Sequence, residues 1–150
     1  MNAHLYESSV RWSGSTGAGY AAYSRQHQVT AGDAGLAVSA DRAFLGDAAL
    51  PNPEQLLLAA ASSCQLLSFL AVAARAGVNV VGYCDDATAI MPADARPARI
   101  THIVLSPTVT VRGSDPETVV RLMREAHAGC FIAHSLTASL EVDITVEVAA

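Results

Sequence analysis

One segment constrains this chain more than any other: NPEQLLLAAASSCQLLSFLAVAA, residues 52–74. From Leu56 to Ala74 it is apolar over about 19 residues, close to the length that crosses a bilayer. Ser62, Ser63, Gln65 and Ser68 interrupt it, and no basic anchors flank it. The pattern therefore predicts a core helix buried on every side and no membrane span. Its start is well specified, with Asn52 as N-cap, Pro53 at the first helical position and Gln55 completing a capping box. Gly77, just behind Arg75, is the expected stop. A helix without a polar face is hard to hide in one small domain. With hydrophobic residues at 51% and charged residues at only 15% of the 150 positions, the composition points to apolar surface covered in an oligomer.

Around this helix the chain reads as a single α+β domain over residues 1–150, without repeats or linkers. HLYESSVRW, AGYAAYSRQHQVT and GLAVSADRAF are expected strands, with a turn at Gly14 to Gly19. After the helix come a strand or pair of strands in VNVVGYCDDATAIM and a Pro/Ala/Arg-rich loop at 92–99. ITHIVLSPTVTVR follows as a strand, with Pro107 near an edge or bulge. SDPE (Ser114 to Glu117) opens a second helix that places Val119, Val120, Leu122, Met123 and Ala126 on one face and Arg121, Arg124 and Glu125 on the other. Gly129 ends it. EVDITVEV alternates cleanly and predicts one half-buried strand.

Charge narrows the partners. The net charge is -5 and every basic side chain but histidine is arginine, with no lysine. An acidic chain without basic runs is no nucleic-acid binder. MNAHLYESSVRW has no basic start followed by an apolar stretch, so the expected compartment is the reducing cytoplasm. There, cysteines serve as catalysts, ligands or plain structure rather than as permanent staples.

Two of the three cysteines stand in unusual settings. Cys64 lies deep in the apolar helix and Cys130 just past the second helix, in EAHAGCFIAHS, each flanked by polar side chains. Such a pair suits thiol redox chemistry, in which the nucleophile must be a thiolate. Ten residues into its helix, Cys64 is about 15 Å from the helix start, too far for that terminus to activate it. Burial alone pushes its pKa up. A reactive Cys64 thus needs an arginine from elsewhere, with Arg25 and Arg42 as candidates. Glu54 suits the first turn of the helix electrostatically and is also placed to orient an arginine. It lies about 15 Å from its own Cys64 along a straight helix. Two such helices packed antiparallel would bring the two ends together, which favours a site shared between subunits.

NPEQLLLAAASSC followed by AHAGCFIAHS, together with YSRQH and the strand carrying YCDD, resembles the OsmC/Ohr family of hydroperoxide-reducing proteins over essentially the whole chain. The resemblance implies an OsmC/Ohr-like intertwined homodimer, with antiparallel β-sheets wrapped around two long central helices. It implies Cys64 as peroxidatic cysteine, Cys130 as resolving cysteine, and Glu54 as partner of a catalytic arginine. Arg25 matches the Ohr-like arrangement and Arg42 the OsmC-like one. Gln65, where relatives often carry His or an aromatic residue, and His134, where Asn is commoner, depart from the pattern and bear on the peroxide pocket. The implied activity is reduction of organic hydroperoxides without a cofactor, with the disulfide restored by a dithiol such as a lipoyl group. The alternative is a redox sensor or ligand-binding module of the same fold that does not turn over.

Other residues have plainer readings. Leu57, Leu67, Phe69 and Phe131 are candidate apolar walls for an alkyl peroxide. Cys84 is expected to be structural, and Trp12 and Phe44 to lie in the core. Asp85 and Asp86 read as a solvated strand end. His127 and Cys130, spaced H-x-x-C, join Cys64 and His134 only weakly as a zinc set, since no second close pair completes it.

Overall fold

The computed structural model describes residues 3–150. The chain divides into two compact units that meet at Leu56 and Leu57, inside the first turns of the long helix. Each is described by itself.

The first unit carries an antiparallel sheet of β1 (Ser8–Arg11), β2 (His27–Ala31) and β3 (Ala34–Val38), in that order. Ala31 pairs with Ala34 across a two-residue turn. Gly32 opens that turn at φ 58°, a conformation that costs glycine little. All three expected strands are shorter than their sequences suggested, HLYESSVRW being extended only over Ser8–Arg11. AGYAAYSRQHQVT is extended only from His27, because Tyr20 and Tyr23 turn their carbonyls toward the Arg25 guanidinium instead of a neighbouring strand. GLAVSADRAF ends as a strand at Val38. Asp41 then accepts from the Ala43 N–H at 2.7 Å and starts a single 3-10 turn, Arg42–Phe44. A Cβ on Gly46 would stand 1.7 Å from the Ala40 carbonyl oxygen, so only glycine fits there. Trp12 and Phe44, expected in the core, are 43% and 44% exposed.

The long helix, α1 (Pro53–Arg75), begins as its sequence requires. Asn52 Oδ1 accepts from the Gln55 N–H at 2.9 Å, and Gln55 Oε1 accepts from the Asn52 N–H at 3.0 Å. This is a reciprocal capping box. At its end Gly77 is left-handed at φ 73°. The Val78 N–H reaches back to the Ala73 carbonyl at 2.9 Å, closing a Schellman turn. The helix is not buried on every side. Ala61, Gln65, Phe69 and Ala73, spaced four apart, form its only fully buried stripe, while Leu67 is 64% exposed. One chain packs against one face of this helix and leaves the others open.

The second unit adds two three-stranded sheets. One has the order β4 (Asn79–Asp85), β7 (Pro107–Arg112), β9 (Thr145–Val148); the other has β5 (Thr88–Ile90), β6 (His102–Leu105), β8 (Ser139–Val142). The sheets are not wholly antiparallel. β8 runs parallel to β6, and β9 parallel to β7, because the helical segment between them returns the chain to the same end, as parallel pairing requires. ITHIVLSPTVTVR is therefore two strands in two sheets, broken at Ser106, whose N–H is held by Asp85 Oδ1 at 2.7 Å. EVDITVEV breaks in the same way, where the Asp143 N–H bonds the Leu105 carbonyl at 2.8 Å. Pro107 sits at neither an edge nor a bulge. It opens the central strand β7, buried and opposite Asp85, as a first strand residue can.

α2 (Pro116–Ala128) is capped by Asp115, which accepts from the Thr118 N–H at 2.8 Å. Val119, Leu122, Met123 and Ala126 form its buried face and meet Phe69 and Ala73 of α1 and Val109 and Val111 of β7. Gly129 ends it, and a further short helix absent from the sequence reading, α3 (Phe131–Ser135), starts at Cys130.

Candidate active site

The second unit brings Cys64 and Cys130 together. Cys64 projects from the middle of α1, and Cys130 occupies the cap position of α3, fully buried. All three cysteines are free thiols. Burial pushes the Cys64 thiol up, but donors to its sulfur outweigh it: the Ile132 backbone N–H, the Cys130 thiol, the Phe131 backbone N–H and the Ser68 hydroxyl. Together they hold Cys64 below the ordinary thiol value. Cys130 moves the other way, raised by burial and further by donating to Cys64 and facing its charge. The pair is thus chemically unequal, with Cys64 the more acidic thiol and Cys130 the less acidic one.

Within the second unit the groups acting on Cys64 are amides and hydroxyl or thiol side chains. The start of α1 is too distant, yet the first N–H groups of α3 are unpaired within their helix and are turned onto Cys64. A one-turn helix in FIAHS leaves little periodicity to read, and the only local hint was Gly129 ending α2 immediately before Cys130.

A cavity of about 380 Å³ opens beside Cys64, lined by Leu67, Ser68, Ala71, Val72, Arg75, Glu125 and Phe131 among others. Of the expected walls, Leu67 and Phe131 line it, but Phe69 is fully buried in the core and Leu57 is not part of the lining. Arg75 and Glu125, charged residues at the cavity wall, were not anticipated as site residues.

Arg25, Arg42 and Glu54 belong to the first unit. Arg25 donates to the Tyr23 carbonyl at 2.9 Å and the Tyr20 carbonyl at 2.6 Å, and its guanidinium lies 4.1 Å and 4.6 Å from the centres of the Tyr23 and Tyr20 rings. It lines a cavity of about 430 Å³ with Val10, Trp12, Tyr23, His27 and Pro53. Arg42 is exposed on the 3-10 turn. Glu54 is half-buried in the first turn of α1. Among the described residues the one ion pair is His102 with Glu141, at 3.9 Å, so neither arginine is paired with Glu54 within the chain.

The remaining polar residues have assigned partners. Gln65 is fully buried, donating to Met123 Sδ at 3.1 Å and accepting from His127 Nδ1 at 3.2 Å. His134 Nε2 donates to the Ala128 carbonyl at 2.7 Å. Asp85 is no solvated strand end: besides Ser106 it accepts from the Ser62 hydroxyl and so ties α1 to the break between β6 and β7. Cys84 is exposed on β4, outside the core and outside the thiol pair. Among the described residues no three His, Cys, Asp or Glu side chains converge as a metal-binding group.

The arrangement can now be set beside known proteins. No curated protein matches the chain significantly. Among solved structures, an OsmC-like protein of unknown function from Vibrio cholerae superposes with a TM-score of 0.86 at 27% identity, covering 95% of this chain and 100% of that one. Two organic hydroperoxide resistance proteins share the fold. That of Elizabethkingia anophelis has a TM-score of 0.68 at 16% identity, over 99% of each chain. That of Bacillus subtilis has a TM-score of 0.62 at 17% identity, over 96% of this chain and 98% of that one. The family profile described as OsmC-like protein matches residues 46–145, a span that holds α1, both thiols and every strand of the second unit but β9, of which it reaches only Thr145. With that match over the greater part of its length, the chain belongs to the OsmC-like protein family.

Proposed function

We propose that this protein is a cysteine-based peroxidase that reduces organic hydroperoxides in a reducing cytoplasm, its whole length acting as one OsmC/Ohr-like domain. One observation carries the reading: Cys64 lines one cavity with Gly129 and Phe131, the neighbours of the buried Cys130 on either side. The lowering of the Cys64 pKa and the raising of that of Cys130 agree with it. The Cys64 thiolate attacks the distal oxygen of the hydroperoxide. The O–O bond breaks, an alcohol leaves after taking a proton, and Cys64 becomes a sulfenic acid. Cys130 then attacks that sulfur, the S–O bond breaks, and water departs as the disulfide forms. A dithiol of lipoyl type reduces the disulfide by exchange and is itself oxidised. No cofactor enters.

The apolar part of the cavity at Cys64, from Leu67, Ala71, Val72 and Phe131, suits the alkyl portion of an organic hydroperoxide better than it suits hydrogen peroxide. The names of the two hydroperoxide resistance proteins of like fold agree with that substrate class. Stabilisation of the Cys64 thiolate is given to Arg25, oriented by Glu54, in preference to Arg42. The open faces of α1 pack against a second copy in an intertwined homodimer. An antiparallel pairing there brings the Glu54 end of one helix toward the Cys64 region of the other.

The test is turnover. A panel of tert-butyl, cumene and fatty-acyl hydroperoxides and hydrogen peroxide is assayed with dihydrolipoamide and with thioredoxin. Many equivalents of organic hydroperoxide consumed with dihydrolipoamide support the reading. Consumption that stops after one equivalent identifies a sensor, and no consumption identifies inert thiols.

A further inference from the structure

Gln65 directly follows Cys64 and is fully buried. An amide in such a place destabilises the fold unless its polar atoms are bonded. Its two partners settle its orientation. A thioether sulfur only accepts, so the amide nitrogen faces Met123 Sδ at 3.1 Å and the oxygen faces His127 Nδ1 at 3.2 Å. His127 must then carry a proton on Nδ1, as donor to that oxygen, whether the imidazole is neutral or charged. The carbonyl of the same His127 accepts the Cys130 N–H at 3.1 Å. α1 therefore grips the last turn of α2 one residue after Cys64, and that turn holds the backbone of Cys130.

We propose that Gln65 and His127 are positioning residues for closure of the Cys64–Cys130 disulfide. This rests on the reading of Cys64 and Cys130 as the reacting pair. Closure must bring the two sulfurs to a bond of about 2.05 Å. With the brace intact, α2 and α3 present Cys130 to Cys64 over a narrow range of separations. Without it the end of α2 is free to drift, and the sulfenic acid on Cys64 waits longer for its partner. Neither residue touches the peroxide, so the first oxidation step is indifferent to both.

His127→Leu alone leaves the Gln65 oxygen unpaired and endangers the fold. The deciding variant is the double Gln65→Met, His127→Leu, which replaces both partners with apolar groups of similar size and leaves nothing unsatisfied. His127→Asn keeps a donor where Nδ1 stands. Each is oxidised by tert-butyl hydroperoxide in a single turnover, quenched at intervals with dimedone and mapped by mass. The double variant should melt near the parent and form sulfenic acid at the parent rate, but close the disulfide about tenfold more slowly. His127→Asn should recover most of that loss. Closure at the parent rate in the double variant, or equal slowing of both steps, overturns the proposal. If peroxide leaves Cys64 of the parent untouched, the peroxidase reading fails by itself. Diamide, which takes two hydrogens from a thiol pair, then measures closure directly, and the same contrast between variants is expected.

Discussion

Cys64 and Cys130 act on one another, and their thiols are displaced in opposite directions from the ordinary value, Cys64 downward and Cys130 upward. Burial acts upward on both, and Cys130 is the more deeply buried. At Cys64 burial is outweighed by Ile132, Cys130, Phe131 and Ser68, whereas at Cys130 the amides of Ala133 and Ile132 do not offset burial and the neighbouring Cys64.

The first prediction concerns the nucleophile. Iodoacetamide labelling of Cys64 against pH should show a midpoint below that of the same thiol in the unfolded chain. The sign follows from donors present only in the folded chain, so unfolding in urea should move the midpoint up. Cys130→Ala removes one donor and should also raise it. A Cys64 midpoint that is the same in folded and unfolded protein would contradict the assignment of the thiolate.

Oxidation should follow one route. A stoichiometric organic hydroperoxide should remove two hydrogens across the Cys64 and Cys130 peptides and leave Cys84 free, as read by intact mass and peptide mapping. In Cys130→Ser the sulfenic acid should accumulate and pass on to sulfinic acid under excess peroxide. Consumption of Cys84 in place of Cys130 would reassign the pair.

Arg25 and Arg42 are separated by substitution. Arg25→Met should slow peroxide reduction at least about tenfold, equivalent to roughly 1.4 kcal/mol of lost differential stabilisation. Glu54→Gln should cause a smaller loss, and Arg42→Met should leave the rate nearly unchanged. Peroxide kinetics on the three variants decide. A crippled Arg42→Met would transfer the role to the 3-10 turn, and three unaffected variants would leave the α3 amides as the main support of the thiolate.

The uncovered face of α1 predicts a stable dimer, twice the chain mass of 15.5 kDa, by light scattering at micromolar concentration. Leu70, 38% exposed in the single chain, is the place to break it. Leu70→Glu puts a charge on an apolar contact and should shift the protein toward monomer. A parent chain that is a folded monomer would remove the shared-site argument.

Gly46 offers a test of the first unit. Because a Cβ there would overlap the Ala40 carbonyl, Gly46→Ala forces the backbone to move and should cost more than about 2 kcal/mol. Asn52→Ala, which loses one half of the capping box, should cost about 1 kcal/mol. Thermal unfolding of the two variants checks the order, and Gly46→Ala as the milder change would mean the loop yields easily.

Much of this architecture is written in short stretches of chain. The Asn52–Gln55 box, the Gly77 stop, the Asp115 cap and the buried stripe of α2 each depend on residues a few positions apart, so periodicity and capping chemistry determine them locally. The motifs around Cys64 and Cys130 likewise carried the family by themselves. What lay beyond the sequence depends on partners far along the chain. The switches between sheets at Ser106 and Asp143 are set by hydrogen bonds to Asp85 and Leu105, and no local pattern distinguishes such a break from a continuing strand. The face of α1 that a single chain covers is chosen by the strands and helix that pack on it, not by the helix's own nearly uniform composition. The state of Cys64 was least legible of all. Its sulfur meets amides from Phe131 and Ile132, which only the closing of the chain between residues 64 and 130 could bring to it, and a hydrogen bond acts through distance in space rather than separation in sequence.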